Sequence, residues 1–270
     1  MCKLLDVSRS SYYSWLCATP SKLSLENIEL SSQIKEIFIK GRGNYGSRRI
    51  RKRLLKKNII ISRRRVIKLM KANNLVCKKA KKFKVTTDSK HKLPIAPNIL
   101  QRDFNAVKPN KKYVGDITYV WTQEGWLYLA VVIDLFSRKV VGWAMDKNME
   151  ASLVNDALLM AIWQRKPSVG LIWHTDRGSQ YASTSHRKII AQHKIIQSMS
   201  RKGNCWDNAV SESFFHTLKT ELVHHMDFKT REEAKQEIFE YIEVFYNQTR
   251  IHSANDYNSP VEFEVMKQTS

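Results

Sequence analysis

Two hydrophobic periods divide the chain. Up to about residue 75 apolar residues recur at helical spacing: Leu25, Ile28, Ile34, Ile37 and Phe38 share a face over 25–38, which the segment GRGNYG then stops. A second helix is predicted from Ser47 through Lys57, and a third, capped by Ser62, ends near Asn73 and Asn74. Ahead of them, Ser8 is placed to cap a short helix carrying Tyr12, Tyr13 and Trp15. Beyond Val107 extended runs rich in β-branched and aromatic residues alternate with helical ones. Strands are predicted over 112–122, 126–134, 139–145, 170–175 and 195–199, and helices over 150–164, 183–193 and from near Asp207. A last helix over 230–246 carries Ala234, Ile238, Tyr241, Ile242 and Phe245 in register, and the tail after it has no clear periodicity. Three adjacent strands followed by alternating helices and strands suit an α/β fold, a mixed five-stranded sheet with flanking helices.

Charge is spread as unevenly as periodicity. Residues 1–100 hold 25 Lys and Arg against 5 Asp and Glu, a net of +20, whereas residues 101–270 hold 21 against 20, a net of +1. So concentrated a basic block favours a polyanion, nucleic acid above all. Residues 76–106 are Lys-rich, weakly periodic and punctuated by Pro94 and Pro97, and read as a basic linker able to track DNA. Cys2, Cys17, Cys77 and Cys205 form no C-x-x-C pair and no zinc-finger cluster, so they read as free thiols, with His224 and His225 surface or structural. No apolar stretch approaches the roughly 18 residues of a membrane span, and the N-terminus lacks a signal peptide's apolar core. The expected setting is cytoplasmic and nucleoid-associated, without a membrane.

Three carboxylates stand in contexts that suit a metal ligand. Asp116 lies within the strand-like run KYVGDITYVWT, where an unpaired charge would be costly. Asp176 ends a second such run, GLIWHTD, where the chain breaks into RGSQY. Glu212 follows after 35 intervening residues, on a helix whose rotation puts Asn208, His216 and Lys219 on its side and Val210, Phe214 and Leu218 on the opposite one. Glu212 and Lys219 are therefore expected to face outward. Asp134 and Asp207 read as structural, ending a strand and capping the Glu212 helix.

These residues resemble the DDE transposases of bacterial insertion sequences, members of the retroviral-integrase superfamily with a ribonuclease H-like fold. The stretches that carry the resemblance are VGDITYV, EGWLYLAVVIDLFSRKVVGWAM, HTDRGSQY, SMSRKGNCWDNAVSESFFHTLKTE, YNQTRIHS and NSPVEFE, between about Tyr45 and Phe263. The nearest form is the catalytic protein of the second reading frame in two-frame elements. One departure is Asn255-Asp256, where relatives often carry an apolar residue and Gly; Asn and Asp also tolerate left-handed turns.

The resemblance implies Asp116, Asp176 and Glu212 as catalytic metal ligands for two Mg2+ ions, with Mn2+ as a substitute, and Lys219 near the reacting phosphate. It implies metal-dependent DNA strand cleavage and strand transfer, with the element's terminal repeats and a target as DNA partners. A homo-oligomer on DNA and an upstream-frame partner or fusion belong to the same expectation. Further DNA contacts fall to Arg48, Arg49, Arg63, Arg64 and Arg65 in the helical region and to Arg177, Arg201 and Lys202 in loops, Gly203 completing the last of these. The expected organisation is a partial helix-turn-helix end over 1–20, a helical DNA-binding domain over 21–75, a linker over 76–106, a catalytic core over 107–224 and a C-terminal helix and tail over 225–270. Two other classes compete: a catalytically inactive DNA-binding regulator of transposition, and a nuclease that cuts RNA in hybrids without strand transfer.

Overall fold

Serine side chains open three of the four N-terminal helices, each accepting a backbone N–H that the first turn would otherwise leave unpaired. Ser8 caps α1 (Arg9–Leu16), Ser21 caps α2 (Lys22–Lys40), and Ser62 caps α4 (Arg63–Ala72), while α3 (Ser47–Lys56) starts after Gly46 without a side-chain cap. The computed structural model describes residues 2, 4–78, 93–202 and 204–269, which fall into two compact units, Met1–Cys77 and Lys78–Ser270. The Lys-rich run over 79–92 and Gly203 lie outside the described residues.

In the first unit the core is Leu30, Ile34 and Ile37 of α2, Ile50 and Leu54 of α3, and Val66, Leu69 and Met70 of α4. Leu25 and Ile28, expected on the buried stripe, are 56% and 63% exposed, because α3 and α4 cover α2 along Leu30, Ile34 and Ile37 instead. The aromatics of α1 are exposed as well, and that helix buries none of its residues.

The second unit is built on β1 (Lys112–Thr122), β2 (Gly125–Asp134) and β3 (Val140–Asp146), an antiparallel meander, then α5 (Ala151–Arg165), β4 (Ile172–Thr175), α6 (Ser179–Ala182), α7 (Thr184–Gln192) and β5 (Ile196–Met199). Strand order is β3-β2-β1-β4-β5, with β1, β4 and β5 parallel. Leu153, Val154, Ala157, Leu158 and Ala161 of α5 pack with Ala130, Val132 and Val141 of the sheet. Gly142 lies so close to α5 that a Cβ there would meet the Ala157 carbonyl. After β5 come α8 (Ala209–Glu221), α9 (Arg231–Glu240) and α10 (Pro260–Gln268).

Two expectations change at the C-terminal end. The single helix over 230–246 stops at Glu240 and continues as a π-helical turn, Tyr241–Tyr246, whose wider winding lets Tyr241, Ile242, Phe245 and Tyr246 all be buried. The tail is not aperiodic: Ser259 and Glu262 form a capping box for α10, with Pro260 in its first turn. Its inward face mixes apolar and charged groups: Pro260, Phe263 and Glu264 are buried, and Glu264 is ion-paired to Arg165 at 2.9 Å and hydrogen-bonded by Ser137. Asp256 and Tyr257 take left-handed backbone angles (φ 51° and 59°), the turn that Asp tolerates.

The segment before β1, placed in the linker by the sequence, is bound to the core. Met199 N–H donates to the Pro97 carbonyl, the Ser198 hydroxyl accepts from the Ile99 and Leu100 amides, and Leu100 is buried.

Candidate active site

The β1–β4 register brings the two aspartates together. Parallel pairing runs Lys112↔Ile172, Tyr113↔Trp173, Val114↔His174 and ends there. Asp116, still within β1, and Asp176, just after β4, each stand two residues past the last pair, and the alternation along the strands directs both to the same face. The close approach depends on Gly115, where a Cβ would meet the ring of buried Trp173. Asp116 Oδ1 accepts the Ile117 amide at 2.8 Å and Asp176 Oδ1 accepts the Gly178 amide at 2.9 Å, fixing both carboxylates locally.

The electrostatics agree with that placement. Burial raises the Asp116 carboxyl well above the usual range, and the negative charges of Asp176 and Glu212 raise it further, with the Ile117 amide and Lys219 opposing. Tyr181, buried beneath them, has its phenol raised by burial and then by Asp116 and Asp176. Negative charge is thus concentrated in a weakly solvated place.

Glu212 comes from α8, which follows a 3-10 turn, Cys205–Asn208. Asn208 Nδ2 donates to the Gly115 carbonyl at 3.3 Å and so ties the helix start to the backbone beside Asp116. Phe214, Phe215 and Leu218 are buried while Glu212 is exposed, as the helical rotation predicts. What burial Glu212 has holds its carboxyl above the usual range. Among the described residues no three or more His, Cys, Asp or Glu side chains, Asp116, Asp176 and Glu212 included, are gathered closely enough to hold a metal ion between them.

Lys219 departs from expectation. It is 7% exposed rather than outward-facing, with Nζ 4.8 Å from the centroid of Tyr119 on β1. Beyond Val114 β4 no longer covers the edge of β1, and the last turns of α8 close over it. Burial lowers the ammonium's pKa and Asp116 acts to raise it.

Asp207 does not cap α8, whose N-cap position is Asn208 without a side-chain cap bond. Its buried carboxylate accepts from Arg201 Nε and Nη2 at 3.0 and 2.9 Å, from Arg102 Nε at 2.7 Å and from Asn98 Nδ2 at 2.9 Å. The Arg201 hydrogen bond, foremost, holds its pKa well below the carboxylate range. Asp134 is structural in the way expected: it accepts from the Asn110 and Phe136 amides, lies 3.7 Å from Arg165, and burial pushes it up to about 6.

The candidate DNA contacts separate by what already holds them. Arg65 Nε donates to Asn27 and Nη1 to Glu26, tying α4 to α2. Arg63 is exposed and reaches Ser47 Oγ at 3.2 Å, and Arg64, Arg48 and Lys202 are exposed. Arg49 lies over Tyr45 at 5.6 Å, Arg177 Nε donates to the Ser200 carbonyl at 2.6 Å, and Arg201 is engaged with Asp207. The sequence puts Asn208 on the Glu212 side of the helix without revealing its bond to Gly115, and it gives no role to the segment from Asn98 to Arg102 or to Tyr119. For Tyr119 the signal was present, in the alternation of Tyr119 with Trp121 on a strand and of Trp126 with Tyr128 on the next.

A five-stranded sheet of this order, with one aspartate within the first strand, a second just past the end of the neighbouring parallel strand and a glutamate on a following helix, defines a ribonuclease H-like integrase core. Residues 106–205 match an integrase core domain model, residues 212–267 a second integrase core domain model, and residues 24–83 an HTH-like domain. The chain is 46% identical over 263 residues to an insertion element IS600 uncharacterized 31 kDa protein of Shigella sonnei, covering 97% of each. It is 46% identical over 245 residues to the transposase for insertion sequence element IS904 of Lactococcus lactis, covering 91% of this chain and 97% of that one. It is 42% identical to transposase InsF for insertion sequence IS3A of Escherichia coli, covering 98% and 92%. Among solved structures, a chain of the simian T-cell lymphotropic virus intasome shares the fold with a TM-score of 0.51 and 18% identity, covering 76% of this chain and 67% of that one. The chain belongs to the DDE transposases of insertion sequences, within the retroviral-integrase superfamily.

Proposed function

We propose that Asp116, Asp176 and Glu212 hold the divalent cations of DNA strand cleavage and strand transfer. The observation that carries the reading is the β1–β4 register, which sets Asp116 and Asp176 beside each other just past the last pair, and the negative charges of Asp176 and Glu212 are felt at the Asp116 carboxyl. Magnesium keeps much of its water shell and takes one or two carboxylates plus substrate phosphates, so an open set of three carboxylates suits it. Two ions, with Mn2+ able to replace Mg2+, fit the donor set. Such cations supply Lewis acidity to the attacking and leaving oxygens of an in-line phosphodiester displacement. The chain's own residues fix the geometry: Asp116 and Asp176 through their backbone hydrogen bonds, Glu212 through the tether of Asn208 to β1, and Lys219 by bringing a cation beside the reacting phosphate. Water serves as nucleophile for cleavage and a DNA 3′-hydroxyl for joining, so no side chain need form a covalent intermediate.

The same reading assigns the terminal repeats to the basic N-terminal helices, with Arg48, Arg63 and Arg64 foremost, and Arg49, Arg177, Arg201 and Lys202 to supporting contacts. It divides the labour between a helical DNA-binding domain over 21–75 and a core over 107–224. Assembly as a homo-oligomer on DNA, cooperation with an upstream-frame protein or fusion, and a nucleoid-associated place in the cell belong to it. Among the described residues no helix is long and apolar enough to cross a membrane.

Asp116→Asn, Asp176→Asn and Glu212→Gln each remove a charge with little change of volume. Each abolishes cleavage and strand transfer on terminal-repeat DNA while DNA binding persists. A variant that keeps near wild-type strand transfer strikes its residue from the ligand set, and magnesium-dependent joining by the intact chain excludes the inactive-regulator reading.

A further inference from the structure

The β1–β2 hairpin runs on past Asp116 to a tip that carries an aromatic ladder. Tyr119 pairs with Tyr128 and Trp121 with Trp126 across the strands, so the four rings share one face. Tyr119 and Trp121 meet Trp126 edge-on, with centroids 4.9 and 4.8 Å away. Trp121 is nevertheless 57% exposed and Trp126 43%.

Cross-strand aromatics often serve only to hold a hairpin together. Here the hairpin is fastened by other means. Arg231 Nε donates to the Trp126 carbonyl at 3.0 Å, the Arg231 amide to Glu124 at 2.8 Å, the Gln123 amide to the Phe228 carbonyl at 3.0 Å, and Thr122 Oγ1 to the Gly125 carbonyl at 2.7 Å. The tip is a braced support with its largest rings turned to solvent. Cations lie at both ends, Lys219 over the Tyr119 ring and Arg231 at the turn. Flat π surface flanked by positive charge is complementary to a nucleotide, whose base stacks and whose phosphate takes the cation. Within a duplex both faces of a base are covered by its neighbours, so only an unpaired base can use the platform. The ladder is continuous with the site through Tyr119 and Lys219, and Lys219 feels Asp116.

Building on the strand-transfer reading above, we propose that Tyr119, Trp121 and Trp126 form a stacking platform for an unpaired nucleobase of the DNA end being processed. The platform holds the frayed end open, and Lys219 steadies the phosphate that leads to it.

The probe is a duplex bearing the terminal sequence of the element that encodes the chain, with its last few base pairs either matched or mismatched. Binding and strand transfer are measured with the intact chain. Wild type prefers the mismatched end. Trp121→Ala and Trp126→Ala each erase that preference and slow joining of the matched end about tenfold, the effect of losing one base–aromatic stack. Trp121→Phe, which keeps a flat ring, retains most of both. The proposal is overturned if the alanine variants keep the wild-type preference, or if they weaken both ends equally while melting lower. It is likewise overturned if they change the oligomeric mass with the DNA preference intact, which would make the tip a protein contact. Failure of wild type to join any DNA would sink the strand-transfer reading, while end preference in binding would still report on the platform.

Discussion

Lys219 shows how one side chain can be assigned a face correctly and a depth wrongly. It shares the rotation of Glu212, but a helical wheel gives no distance to the sheet, and only the structure reveals that the end of α8 closes over the edge β4 has left open. Its aliphatic stem is buried and its ammonium lies over Tyr119. Truncation therefore removes packing as well as charge. Lys219→Ala is expected to lower thermal stability by an amount that includes the roughly 0.5–2 kcal/mol of a cation–π contact, and to reduce strand transfer. Lys219→Met keeps the stem and loses the charge, so it should melt near wild type and still join DNA poorly. Wild-type joining by Lys219→Met would make the lysine a packing residue. Asp116 and Asp176 were more legible, because a carboxylate inside or at the end of an apolar run is costly unless something holds it.

At the scale of elements, β1 was read with its observed bounds, since its apolar and β-branched run has polar breaks at both ends. The C-terminal helix escapes the apolar pattern because its short buried side sets charged Glu264 beside Pro260 and Phe263, although the S-P-V-E capping box is there to be read. Contacts made across many residues were beyond reach from sequence. Gly115 is one: Gly115→Ala drives a methyl into the Trp173 ring, and overpacking of this kind costs about 1–3 kcal/mol. A calorimetric melt should show that loss, and an unchanged Tm would mean that β1 and β4 part without cost. Asp207 is another, joining the Asn98–Arg102 segment and Arg201 to the turn before α8. Its folded pKa lies below the unfolded value of about 3.9. Its stabilising contribution is therefore present above that value and fades as pH falls through the folded pKa. Asp207→Asn should destabilise by about 1–3 kcal/mol near pH 7, and the gap from wild type should narrow below pH of about 4. A gap that stays constant down to strong acid would show that the carboxylate's charge is not what binds the clamp.

For the whole molecule, the division of charge makes the sharpest claim. Residues 1–92 carry all 25 Lys and Arg and all 5 Asp and Glu of the basic block, leaving residues 93–270 with 21 against 20. A catalytic fragment cut at Val107, the boundary the sequence suggests, would lose Leu100, the amides that bind Ser198, and both Asn98 and Arg102 from Asp207. It should be less stable than a fragment that starts at Leu93, which keeps those contacts. The comparison by thermal melting is direct, and equal stability would show the segment to be an appendage. DNA affinity should move in the other sense. Neutralised phosphates release counterions, giving a log-log salt slope near −0.9 per phosphate contacted. The Leu93–Ser270 fragment should therefore fold yet bind terminal-repeat DNA weakly and with a shallower slope than the intact chain. Replacing Arg63 and Arg64 with Ala in the full chain should shift affinity and slope part of the way. Arg65 makes a poorer probe, since its loss also frees Glu26 and Asn27 and loosens α4 from α2. If the fragment matched the intact chain in both affinity and slope, the basic half would be a solvated face, and recognition of the element's ends would have to lie in the catalytic half.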